Sequence, residues 1–249
     1  MTARFYTPDA HRVGDLVDLP PDEAAHLARV LRLTAGSAVR LFNGVGGEFE
    51  GVVDAVSKGR AAVRLTGARE PVAEPRVAVT LAQAVLKGDK MDDVVRDAVM
   101  MGVAAVQPVV TARSEVTLAA LRRGGRRERW HRIAVSAAKQ SGRATVPPIL
   151  EPCAFSDLTT ALAQMALPGP AAMFVEPSAD EGTLALSDLS DPPPRETTVI
   201  VGPEGGWDAE ELARGAAVCR MVTLGRRTLR ADAMAIVALA ALFAIWKEY

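Results

Sequence analysis

Cysteine is scarce in this chain. There are two in 249 residues, Cys153 and Cys219, far apart and without a neighbouring histidine. That spacing excludes a disulfide framework and the paired-ligand patterns of zinc sites, so no metal is expected and a reducing cytoplasm fits. Long apolar runs are also missing. The most apolar segment, residues 233–246, has fourteen residues, whereas a bilayer-spanning helix needs about 20. It reads as a buried C-terminal helix, and no membrane partner is expected. The opening MTARFYTPDAHRVGD lacks the apolar core of a signal peptide. Charge of one sign is not in excess, because 29 Lys and Arg stand against 30 Asp and Glu for a net charge of −1. A nucleic-acid partner would therefore have to be met by local positive charge.

What is present is the balance of a soluble globular protein, 49% apolar and 24% charged. The length allows one large domain or two smaller ones. Residues 1–70 read as β-rich, with strands at 38–42, 48–56 and 61–65. Asn43 and Gly44 form a hairpin signal because both tolerate positive φ. One helix, 22–31, interrupts this small barrel-like module. A Pro-containing stretch near residues 70–75 reads as a linker. Beyond it strands and helices alternate: strands at 77–84, 103–110, 171–175, 197–201 and 220–224, and helices at 89–101, 128–141, 155–165, 208–218 and 233–246. Residues 187–195 read as loop. Such alternation implies a mostly parallel sheet covered on both faces.

Several segments could carry chemistry. The β-branched run Val199, Ile200, Val201 stops at Gly202 and is followed by Pro203, Glu204, Gly205 and Gly206. This turn is neither a Walker A loop nor a dinucleotide fingerprint. It lies where ligands bind in parallel sheets, beyond the carboxyl end of a strand, and it is either a site or a plain turn. Asp208 and Glu211 have capping-pair spacing, so the turn delivers the chain to a helix N-terminus. LGRRTLRADA, residues 224–233, repeats the strand–glycine–loop–helix layout and places Arg230 and Asp232 at a helix start. Lys87 and Lys90 flank another strand-to-helix turn. Gln140, Ser141 and Arg143 follow a helix end. LRRGGRRERWHR, residues 121–132, concentrates six arginines, a local basic patch suited to phosphate or a solvated helix face. His11, His26 and His131 are scattered and read as structural or surface groups.

Taken in order, these motifs resemble the RsmE family of ribosomal RNA methyltransferases, within the SPOUT superfamily. RFY and HLARVLRL are similar to its PUA-like RNA-binding module. KGDKMDDVVRDAVMMGV, Arg113 with Ser114, RWHRIAVSAAKQSGR, VGPEGGW and LGRRTLRADA are similar to its catalytic blocks. The resemblance implies an α/β fold, a SPOUT-type parallel sheet with a C-terminal trefoil knot, plus a small N-terminal PUA-like β-barrel. It divides the chain into a 1–70 RNA-binding domain and a 71–249 methyltransferase domain. It further implies S-adenosylmethionine as cofactor, a homodimer, and methylation of uracil N3 in the 16S ribosomal RNA of the small subunit.

By the same resemblance, Val201, Gly202, Pro203, Glu204 and Gly205 border the cofactor, with Leu224, Gly225, Thr228, Leu229, Arg230 and Ala233 as the facing wall. Arg230 would be catalytic, stabilising charge that develops on the uracil, with Asp232 as the candidate proton acceptor. His26, Arg29, Arg32, Lys87, Lys90, Arg113, Arg122, Arg123, Arg126, Arg127, Gln140, Ser141 and Arg143 are the implied RNA contacts. The chain departs from the family pattern where Ala231 and Asp232 replace Thr and Glu, and where Met100 and Lys139 replace two glutamates. These departures motivate two other readings: a non-catalytic RNA-binding or ribosome-assembly protein of the same fold, or a SPOUT enzyme acting on another RNA.

Overall fold

The computed structural model of the chain describes residues 2–164, 171–177, 183–189 and 192–248. It falls into two compact units. The first comprises Met1–Glu74 with Val135–Val146, and the second comprises Pro75–Ala134 with Pro147–Tyr249.

The first unit holds β1 (Arg4–Tyr6), β2 (Leu16–Asp18), α1 (Pro21–Ala25), β3 (Ala38–Phe42), β4 (Glu48–Ser57) and β5 (Arg60–Arg69). The sheet order is β1-β3-β4-β5-β2, antiparallel except for the parallel β1–β3 pair. Alternation sets its buried face: Ala61, Val63 and Leu65 of β5 join Phe5, Val39, Leu41 and Val53 in one core. The hairpin expected at Asn43 and Gly44 forms, but its loop is longer than two residues. The Asn43 N–H donates to the Gly47 carbonyl at 3.0 Å, and Asn43 Oδ1 accepts from Val45 and Gly47 N–H at 3.0 and 2.8 Å. Gly44 and Gly46 supply the positive φ of 81° and 98° that this loop requires. The helix expected over 22–31 is broken after α1. His26–Val30 winds as a wider π-helical turn, with the Leu31 N–H reaching the His26 carbonyl.

Residues 135–146 join this unit through Arg4. Its guanidinium donates to the carbonyls of Ala138 (3.1 Å), Lys139 (3.2 Å), Gly142 (3.4 Å) and Arg143 (2.8 Å), and to Glu48 at 3.2 Å. Lys139 meets Glu23 at 2.7 Å and lies 5.0 Å above the Phe5 ring. A division of the chain by composition alone cannot show this return of a distant segment.

The second unit contains β6 (Ala78–Ala84), α2 (Lys90–Met101), β7 (Ala105–Val110), α3 (Leu118–Arg123), α4 (Arg126–Ser141, its second half counted with the first unit), β8 (Cys153–Ala154), α5 (Phe155–Gln164), β9 (Ala172–Phe174), β10 (Leu184–Ala185), β11 (Glu196–Val201), α6 (Ala209–Val218), β12 (Arg220–Thr223) and α7 (Ala231–Ile245). Between β10 and β11, Leu186–Leu189 forms a 3-10 turn where loop is expected. The expected end of α5 at residue 165 lies outside the described residues.

Every strand pair in this sheet is parallel, in the order β10-β12-β9-β11-β6-β7-β8. Ala82, Met173 and Ile200 pack with Phe155, Leu162 and Trp207 in one cluster under α5 and α6. α2 packs against α7, burying Met91, Val95, Ala98, Ala235, Leu239 and Leu242. Gly102 ends α2 in the left-handed region at φ 110°, as a C-terminal glycine does. The capping box at Asp208 and Glu211 forms with both hydrogen bonds in place.

Candidate functional site

The carboxyl ends of β9 and β11 and the segment following β12 surround a cleft of about 280 Å³. Parallel sheets bind ligands at this edge because the strand ends release loops there. The turn after β11 contributes Val201, Gly202, Pro203, Glu204, Gly206 and Trp207. The segment entering α7 contributes Thr228, Leu229, Arg230, Ala231 and Met234, and the end of β9 adds Phe174, Val175 and Glu176.

Local geometry makes the glycine turn open. Trp207 Nε1 donates to the Phe174 carbonyl at 3.0 Å, which fixes the indole beneath Gly202. A β-carbon at Gly202 would lie 2.9 Å from Trp207 Cε2. Gly206 has φ +72° and donates its N–H back to the Pro203 carbonyl at 3.0 Å. Gly205 is not itself a lining residue. It lies against Arg113, whose Nη1 donates to the Gly205 carbonyl at 2.6 Å.

Charge is concentrated at the cleft mouth. Glu204 accepts from Lys90 Nζ at 2.9 Å and from the Lys87 N–H at 3.2 Å. Burial alone raises the Glu204 carboxyl, but the Lys90 and backbone hydrogen bonds outweigh it and hold the group below its ordinary value. Arg230 donates through Nε and Nη2 to Asp232 at 3.2 and 3.1 Å. Partial burial raises Asp232, while the Arg230 bond, a backbone bond and the Arg230 and Lys90 charges bring it net below its usual value. Lys90 therefore acts on carboxylates of both walls. Lys87 forms an ion pair with Glu115, which raises its pKa.

The structure brings together most of the residues anticipated around the glycine turns. Leu224, Gly225 and Ala233, like Gly205, are not among the residues lining this cleft. Ala231 and Met234 take the inward positions of the first turn of α7, so Ala233 faces outward. Phe174, Val175, Glu176, Gly206, Trp207, Ala231 and Met234 were missed. Their signal was available, since 171–175 reads as a strand and ligands gather beyond strand ends.

The candidate RNA contacts divide by exposure. Arg29, Arg32, Lys87, Arg113, Arg122, Arg123, Arg127 and Gln140 are exposed, whereas His26, Lys90, Arg126 and Ser141 are half-buried. Arg143 is a correction. It is buried, and its guanidinium is engaged by Glu74 at 3.0 Å through Nε and 2.5 Å through Nη2. The arginine-rich segment is partly self-neutralised. Arg127 holds Glu151 at 2.8 Å and the Ile149 carbonyl at 2.9 Å. Arg122 reaches the Pro152 carbonyl at 3.3 Å, and Arg129 pairs with Asp89 at 3.0 Å. Arg123, Arg126 and Arg132 have no ion pair among the described residues. Among those residues, no group of three or more His, Cys, Asp or Glu could hold a metal ion, and no helix is long and apolar enough to cross a membrane.

A parallel α/β sheet with this cleft, carried with a separate β-rich unit, defines a class: residues 73–243 match the RNA methyltransferase domain and residues 19–66 match the RNA methyltransferase PUA domain. The similarity continues over almost the whole chain. Ribosomal RNA small subunit methyltransferase E of Synechocystis is 31% identical, with 92% of this chain and 73% of that protein covered. The crystal structure of ribosomal RNA small subunit methyltransferase E from Neisseria gonorrhoeae, bound to S-adenosylmethionine, is 33% identical with a TM-score of 0.86, covering 99% and 98% of the two chains. A Legionella pneumophila methyltransferase structure with bound S-adenosylmethionine is 29% identical with a TM-score of 0.87, covering 98% of each chain. The chain belongs to the ribosomal RNA small subunit methyltransferase E family of RNA methyltransferases.

Proposed function

We propose that this chain methylates N3 of a uracil in 16S ribosomal RNA, using S-adenosylmethionine, as a cytoplasmic homodimer. The observation that carries the reading is the cleft between the 201–207 turn and the 228–234 segment, with Arg230 at its mouth. The residues present fit the cofactor. Glycines leave backbone uncovered at the turn, Phe174, Val175, Leu229 and Met234 offer apolar walls, and Glu176 and Glu204 offer negative charge for a cationic ligand.

When bound, S-adenosylmethionine supplies a methyl group already activated by its sulfonium. The chain's own residues then act mainly by positioning. Uracil N3 is a poor nucleophile while protonated, and loss of its proton places negative charge on the ring oxygens. The Arg230 guanidinium stabilises that charge. Asp232 is assigned a different role from that of proton acceptor. A carboxylate held below its usual value is a weak base, so Asp232 orients Arg230 instead.

The finer architecture belongs to the same proposal. The segment from β12 through α7 threads the knot expected of the superfamily, a reading supported by residues 228–234 forming one wall of the cleft bounded by the 201–207 turn. The first unit closes as a PUA-like barrel and presents His26, Arg29 and Arg32 to RNA. The dimer uses the outer face of α7, where Ala233, Val237 and Ala244 are exposed on an otherwise apolar helix.

The test is methyl transfer from labelled S-adenosylmethionine to small ribosomal subunits lacking the modification, followed by nucleoside analysis. Labelled N3-methyluridine is the expected product. Label in a different nucleoside, or only in another RNA, would redirect the assignment. No transfer beside an active relative would favour a non-catalytic binder.

A further inference from the structure

Glu211 does more than a helix cap requires. In a capping box the acidic residue returns one hydrogen bond to the N-cap N–H. Here Glu211 Oε2 accepts from the Asp208 N–H at 3.2 Å, while Asp208 Oδ1 accepts from the Glu211 N–H at 2.7 Å. The second carboxylate oxygen, Oε1, accepts from the Ala112 N–H at 2.8 Å. Ala112 lies on the loop after β7, 99 positions earlier in the chain. Glu211 is 7% exposed, and both bonds are partly buried.

The loop that Glu211 grips is itself closed. The Thr111 N–H donates to Ser114 Oγ at 3.1 Å, and the Ser114 N–H donates to the Thr111 carbonyl at 3.1 Å. Fixing Ala112 therefore fixes Arg113. Arg113 in turn donates to the Gly205 carbonyl at 2.6 Å, and its Cβ lies 3.2 Å from where a Gly205 β-carbon would stand. The chain from Gly205 to Glu211 completes a ring: turn to helix by covalent bonds, helix to loop by Glu211, and loop back to turn by Arg113. Two of the cleft-lining residues, Gly206 and Trp207, lie inside the ring, and Glu204 adjoins it.

We infer that Glu211 is a positioning residue for the cofactor turn, acting through Ala112 and Arg113 to hold the Gly205 backbone in its binding geometry. The inference rests on the cofactor reading of the cleft. Cutting the ring at either hydrogen-bonded joint leaves the turn free to open, so the two cuts have the same consequence.

The experiment compares wild type, E211A, R113A, R113K and the E211A/R113A double variant. Affinity for S-adenosylmethionine is read by calorimetry, and backbone order by hydrogen exchange. E211A and R113A each raise the Kd by about tenfold, the scale of one charge-assisted hydrogen bond. The double variant is no weaker than the worse single, because both cut one ring. R113K recovers part of the affinity. Exchange at residues 204–206 accelerates in both single variants, and exchange at Ala112 accelerates in E211A. If E211A lowers only the Tm, with Kd and exchange at 204–206 unchanged, the positioning role is overturned. If wild type binds no S-adenosylmethionine, the cofactor reading falls instead, and the exchange rates still decide whether the ring holds the turn.

Discussion

Trp207 occupies the space that a side chain on Gly202 would need. The indole cannot yield, because Nε1 is bonded to the Phe174 carbonyl at 3.0 Å and the ring packs 5.0 Å from that of Phe155. Gly202→Ala is therefore expected to cost about 1–3 kcal/mol by overpacking and to abolish cofactor binding by displacing the turn. Urea unfolding and calorimetry measure the two effects. A variant that binds S-adenosylmethionine as wild type does would show that the turn tolerates the displacement.

Lys90 and Glu204 tie stability to acidity. The folded Glu204 pKa is lowered, so its stabilising contribution is present above the unfolded value and is lost as pH falls through the folded one. Wild type is expected to lose stability on acidification below the ordinary glutamate range. E204Q should flatten that part of the Tm profile, and K90M should move it to higher pH. Superimposable profiles for all three proteins would exclude the coupling.

Arg230 and Asp232 should separate kinetically. R230A is expected to abolish methyl transfer while leaving S-adenosylmethionine affinity nearly intact. D232N should reduce kcat by a smaller factor, through loss of Arg230 orientation, without removing a basic limb from the pH–rate profile. Loss of that limb in D232N would restore Asp232 as the proton acceptor.

Arg4 joins two distant parts of the first unit through four carbonyls and Glu48. R4A leaves those acceptors without their donor and should destabilise by about 2–4 kcal/mol. Hydrogen exchange should rise first in residues 135–146. Uniform protection in the variant would assign the tie to other contacts.

Val237 is 43% exposed on α7, and Met100 is 41% exposed on its packing neighbour α2. Val237→Glu places a charge on the proposed dimer face and should yield a monomer by analytical ultracentrifugation, with the far-UV spectrum unchanged. A variant that remains dimeric would move the interface elsewhere.

Much of this architecture was legible in local pattern. The strand at Val199, Ile200 and Val201, the helix ending at Gly102 and the Asp208–Glu211 capping box depend on neighbours a few residues apart, and all form as read. The helix over 22–31 was misjudged because apolar spacing does not separate one helix from a short helix followed by a π-helical turn. The Arg143 assignment failed for a related reason. A basic residue after a helix reads as surface until Glu74, 69 positions away, is placed beside it.

Composition and spacing by themselves determined the alternation of strands and helices and the two glycine turns, because these follow from periodicity and backbone preference along the chain, while the family resemblance rested on the quoted motifs taken in order. Tertiary structure decided the rest. Strand order set β9 between β12 and β11, and so brought Glu176, Gly206 and Met234 to one cleft. It also placed Lys90 on Glu204, Arg113 on Gly205 and Glu211 on Ala112. These contacts join residues separated by about a hundred positions, and their partners are chosen by sheet pairing and burial, which no local pattern encodes.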